Sequence, residues 1–97
     1  MLYALICKDK PRSLDLRMAT RPTHVDYLKG LEAKGVLKMA GPLLGDDEKP
    51  IGSLLVVKAA DKTEAAAFAA GDPYAIAGLF ASTEIRAFNW TFGNPEA

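Results

Sequence analysis

Only one cysteine, Cys7, stands in the 97 residues, so no intramolecular disulfide can form and no CxxC pair exists to hold a metal or exchange thiols. A reducing compartment fits, and the expected location is the cytoplasm. Charge of one sign is also missing. Twelve Lys plus Arg balance twelve Asp plus Glu and the basic residues are scattered, so net charge favours neither nucleic acid nor an anionic membrane as a partner. Long apolar runs are absent: Leu2 to Cys7 is followed at once by Lys8, Asp9 and Lys10, too short for a signal-peptide core and far too short to span a bilayer. There is no GxxxxGK[ST] or GxGxxG for phosphates, no HExxH, and no second histidine for a multi-imidazole metal site. No cofactor is expected, neither nucleotide nor metal.

What is present fits one compact domain over residues 1–97, 49% hydrophobic, in a size range that buries roughly 60–70% of the surface its unfolded chain exposes. Leu2 to Cys7 is apolar nearly throughout, as in a strand covered on both faces. Pro11 forces a turn, Ser13 is placed to cap a helix, and Asp15 suits the positive end of its dipole. The helical pattern runs to about Lys34 and stops at Gly35, with a kink or restart expected near Thr20 and Arg21 because Pro22 lies inside it. Val36 to Leu44 reads as a strand ended by Gly41-Pro42 and the acidic loop from Gly45 to Pro50; Ile51 to Ala59 reads as the third strand.

Asp61 or Thr63 begins an alanine-rich helix that Gly71 closes, and Asp72-Pro73 reads as an N-cap with proline at the first helical position of a short extra turn. The last strand is expected from about Ser82 to Phe92, with Phe88, Trp90 and Phe92 in the core or at a dimer interface rather than as a stacking platform for bases. Strand, helix, strand, strand, helix, strand in under 100 residues predicts the α+β ferredoxin-like arrangement, with both helices on one face of a four-stranded antiparallel sheet. The third strand carries Leu54 and Val56 on one side and Leu55 and Val57 on the other, so the second face needs a cover. A second subunit provides it economically, giving a homodimer or higher even oligomer.

His24 is the sole histidine, and His24, Leu28 and Leu31 recur at i, i+4 and i+7 on one helix face with Tyr27 at its edge. A lone imidazole on an apolar face is either a hydrogen-bonded core residue or a proton-transfer group. Asp72 before Pro73 reads either as an N-cap or as a carboxylate that orients an imidazole, and the two roles are compatible. Such a carboxylate fixes the imidazole tautomer, raises its basicity and leaves the other nitrogen to take or give a proton without a cofactor. Ser53 is either a donor to a substrate oxygen or a satisfied backbone partner, Tyr74 either a cleft hydroxyl or packing, and Arg17 suits a carboxylate substrate if the helix is continuous. Arg21 reads as a solvated charge or a clamp and is left out of the site. Cys7 reads as a small buried hydrophobe.

Taken in order, Ser13-Leu14-Asp15-Leu16-Arg17, Arg21-Pro22-Thr23-His24-Val25-Asp26-Tyr27-Leu28, Ala40-Gly41-Pro42, Gly52-Ser53-Leu54-Leu55-Val56 and Asp72-Pro73-Tyr74-Ala75-Ile76-Ala77-Gly78 resemble the YciI-like (YCII-related) family over essentially the whole chain. The resemblance implies a dimeric alpha-plus-beta barrel of two ferredoxin-like protomers, with a His and an Asp facing each other in a cleft between helices and sheet. On this chain those residues are His24 and Asp72. It also implies small-molecule chemistry of the dehydrochlorinase or isomerase kind, since the family includes a dehydrochlorinase acting on chlorinated hydroxyhydroquinones. A dimeric module that binds a small metabolite without turning it over is the alternative expectation.

Overall fold

The strands of the computed structural model, which describes residues 1–96, form one antiparallel sheet. In chain order the elements are β1 (Leu2–Asp9), α1 (Leu14–Ala33), β2 (Leu37–Leu44), β3 (Pro50–Lys58), α2 (Lys62–Ala70), α3 (Pro73–Ile76) and β4 (Phe80–Phe88). The sheet order is β2-β3-β1-β4 with every neighbouring pair antiparallel. The architecture is therefore the expected α+β ferredoxin-like βαββαβ, with α3 inserted before the last strand.

Register decides which side chains meet the helices. Leu5 lies opposite Leu55 and Ile85, Tyr3 opposite Val57 and Ala87, and Cys7 opposite Ser53 and Thr83. Because side chains alternate along a strand, Tyr3, Leu5, Cys7, Leu55 and Val57 share the helix-covered face, where they form the core with Ala59, Ala65 and Ala69. Ala65 and Ala69 stand one turn apart on α2, and their methyl groups let the helix lie close to the sheet. Leu5 and Val57 are fully buried, each contributing about 1.5–3 kcal/mol relative to exposure.

On the second face Leu2, Ala4, Ile6 and Leu54 stay half-buried while Val56 is buried. Lys38 Nζ on β2 pairs with Glu96 Oε1 at 2.8 Å. The segment after β4 thus reaches from one edge strand to the other.

Several boundaries differ from the sequence expectation. α1 runs unbroken through Pro22 for 20 residues. A proline there removes one hydrogen bond, which packing offsets: Arg17, His24 and Leu31, spaced by seven, are the buried residues that anchor the helix. Ser13 occupies the N-cap position of α1, yet its hydroxyl bonds the Pro11 carbonyl at 3.3 Å instead of a helix amide. β2 begins one residue later than expected, at Leu37, and runs to Leu44 as expected; it carries Pro42 because it is an edge strand, where proline's missing N–H is tolerated. β4 ends at Phe88, so Trp90 and Phe92 lie beyond it, and Phe92 is 88% exposed rather than in a core. No described helix is long and apolar enough to cross a membrane.

Candidate active site

Between α1 and the sheet lies a cleft of about 390 Å³, walled by Arg17, Arg21, His24, Val25 and Leu28 from α1, by Ala40, Gly41 and Pro42 from β2, by Ser53 and Leu55 from β3, and by Tyr74 from α3. An unbroken α1 is what places its contribution: Arg17, Arg21, His24 and Leu28 fall on one stripe at spacings of four, three and four. Arg17, Ser53, Tyr74, His24 and Asp72, the residues singled out in the sequence, thus gather in one region of the fold.

His24 Nδ1 lies 2.8 Å from Asp72 Oδ1. That oxygen also accepts the Tyr74 backbone N–H at 2.9 Å, so the two roles open to Asp72, helix cap and histidine partner, coexist in one atom. With Asp72 as a carboxylate the oxygen can only accept, so Nδ1 carries the hydrogen and Nε2 is the free nitrogen of the ring. Asp72 is 1% and His24 8% exposed. Tyr74 is fixed from both ends: its amide by Asp72, its carbonyl by Leu79 N–H at 3.0 Å. Gly78 at φ +79 makes the turn that this second bond requires.

The Tyr74 ring stacks on His24, with centroids 3.8 Å apart and planes inclined by 16°. Arg17 Cζ stands 4.6 Å from the centre of the same ring. Burial raises the Tyr74 phenol above its ordinary pKa, with Arg17 and Arg21 pulling in the opposite direction. Arg17 is itself buried and held by Asp9 through Nε to Oδ2 at 2.7 Å and Nη2 to Oδ1 at 3.1 Å, and Nη2 also reaches Ser53 Oγ at 2.8 Å. Burial lowers the guanidinium pKa, but Asp9 first and Tyr74 after it pull the other way, and the net direction is upward.

Ser53 is placed by its neighbour. A Cβ on Gly52 would collide with the Cys7 carbonyl oxygen, so only glycine lets β3 run this close to β1 beside the serine. Cys7 lies outside the cleft wall with its thiol pushed up to about 11, chiefly by burial. Among the described residues no buried side-chain nitrogen or oxygen lacks a hydrogen-bond partner.

Asp9 is passed over in the sequence, and Arg21 is weighed there only to be left out. Asp9 could have been found by counting: Tyr3, Leu5, Cys7 and Asp9 share one parity along β1, which turns the carboxylate toward the helices. Arg21 could have been included once α1 was taken as continuous, because it follows Arg17 by one turn.

A model of the YCII-related domain matches residues 1–89. A protein of Haemophilus influenzae is 35% identical over 98 residues, covering 95% of this chain and all of that protein. Protein YciI of Escherichia coli is 32% identical with the same coverage. Among solved structures, 5-chloro-2-hydroxyhydroquinone dehydrochlorinase (TftG) of Burkholderia phenoliruptrix, in complex with 2,5-dihydroxybenzoquinone, matches with a TM-score of 0.82 and 35% identity over 92% of this chain and 94% of that one. By sequence and by fold, the chain belongs to the YCII-related domain family.

Proposed function

We propose that the cleft is the active site of a cofactor-independent enzyme in which His24, oriented by Asp72, transfers a proton to or from a small carbonyl-containing or hydroxylated aromatic compound. The observation that carries this reading is the 2.8 Å bond between Nδ1 and Asp72, which leaves Nε2 free on a residue that walls the cleft. Nε2 takes a proton from an acidic O–H or C–H of the substrate, and Asp72 stabilises the imidazolium that results. The electron pair left behind drives isomerisation, or expels a halide in an elimination. Such steps need no cofactor.

The surroundings support the reading. A cleft of about 390 Å³ is in the size range of small-molecule sites, and the TftG neighbour is a dehydrochlorinase bound to a small quinone. Ser53 and Tyr74 would contact the substrate, with Arg17 behind them as donor and support. The protein would act as a single cytoplasmic domain in a homodimer or higher even oligomer, the half-buried Leu2, Ala4, Ile6 and Leu54 facing the second copy.

The test is turnover of a panel of chlorinated hydroquinones and small ketones, followed by chloride release and by deuterium uptake from heavy water. Activity that falls on the order of 10²–10⁴-fold in His24→Gln supports the reading. Binding with no turnover by the native protein would instead favour a metabolite-binding module.

A further inference from the structure

We propose that Arg21 binds a negatively charged oxygen of the ligand, so that the cleft selects a small planar molecule carrying an ionised hydroxyl or carboxyl group over a neutral ring of the same shape. This rests on the reading of the cleft as a substrate site and names the class of substrate.

The charges around the cleft separate the two arginines. Arg17 is matched by Asp9 at 2.7 and 3.1 Å. Asp72 is engaged by His24 and by the Tyr74 amide. Neither carboxylate is on the wall of the cleft, whereas Arg17, Arg21 and His24 all are. Arg21 has no ion-pair partner among the described residues, so it is the unmatched charge of the wall. It sits one turn after Arg17 and three residues before His24 on the same stripe, and its charge is felt at the Tyr74 phenol.

Across from it, β2 contributes only Ala40, Gly41 and Pro42. That wall offers a ring apolar contact and no side-chain hydrogen bond. Proton abstraction adds a second demand. When Nε2 takes a hydroxyl proton, the O–H bond breaks, an N–H bond forms and the pair remains on the oxygen. Asp72 faces the imidazolium and Asp9 already matches Arg17, so the positive charge left over for the new anion is that of Arg21, which answers with a charge-assisted hydrogen bond.

Calorimetry on the full chain tests this with 2,5-dihydroxybenzoquinone, ionised at neutral pH, and its dimethyl ether, which has the same ring and no acidic hydrogen. Arg21→Met should weaken binding of the acid about 10-fold or more and leave the ether within about twofold. Arg21→Lys should recover most of the loss. His24→Gln should keep the Arg21-dependent preference, because the acid arrives already ionised. Equal weakening of both ligands by Arg21→Met, or of neither, overturns the proposal. Native protein that binds neither ligand removes the substrate-site reading and this proposal together. The Arg21 effect without any loss of turnover in His24→Gln removes only the role of His24 as base.

Discussion

Asp72 reaches His24 across the fold with an oxygen that is at the same time the cap of α3, 2.8 Å from the imidazole and 2.9 Å from the Tyr74 amide. Orientation of the histidine and the start of α3 therefore depend on one side chain. Asparagine at this position keeps an oxygen for the amide but removes the charge opposite the imidazole, whereas alanine removes both. Asp72→Ala should cost about 1–3 kcal/mol in urea denaturation and Asp72→Asn clearly less. Activity should fall strongly in both, which separates the electrostatic role from the cap.

The Asp9–Arg17 pair makes a second prediction. Both side chains are almost fully buried, at 6% and 5% exposure, so Asp9→Ala leaves an unmatched guanidinium inside the protein and should destabilise by about 3–5 kcal/mol. Replacing the pair together, as Asp9→Leu with Arg17→Met, should recover much of that loss. A double-mutant cycle by chemical denaturation reads the difference.

Cys7 gives a dependence on pH. Its folded pKa of about 11 lies above the ordinary thiol value of 9.0, so above pH 9 the unfolded thiol ionises while the folded one keeps its proton. Proton binding is then greater in the folded state, and stability falls as pH rises from about 9 through 11. The phenols of buried Tyr74 and half-buried Tyr27, both raised chiefly by desolvation, act in the same direction. Denaturation midpoints should decline across that window, less so in Cys7→Ala. Iodoacetamide should modify Cys7 slowly in the native protein at pH 8 and rapidly in urea.

The second sheet face gives a prediction about assembly. Ile6 and Leu54 face each other across β1 and β3 on that side and remain half-buried. Light scattering at micromolar concentration should report a dimer or an even multiple of it. Leu54→Lys should shift the protein toward monomer with little loss of helical circular dichroism.

Much of this arrangement was legible in the chain. Parity in β3 separated Leu55 and Val57 from Leu54 and Val56, and the first pair lies on the helix-covered face; the family resemblance pointed to His24 and Asp72, the two residues that meet. Pro22 was harder, because local rules treat a proline inside a helix as a kink or a stop. It is carried by packing at Arg17, His24 and Leu31, while Pro42 keeps its expected place in a strand that the sheet order puts at an edge. β4 ends at Phe88 although Trp90 and Phe92 continue its aromatic alternation, since pairing with β1 runs out at Leu2. Asp9 escaped because strand parity was not carried two residues past the apolar run.

The central claim is that His24 Nε2 meets the reacting group of the substrate while Asp72 holds Nδ1. A crystal structure with a bound hydroxyquinone tests it most directly. The account predicts a ligand oxygen or acidic carbon within about 3.2 Å of Nε2, with the 2.8 Å bond to Asp72 retained. A ligand seated away from His24, or an imidazole turned off Asp72 when the cleft is filled, would contradict it.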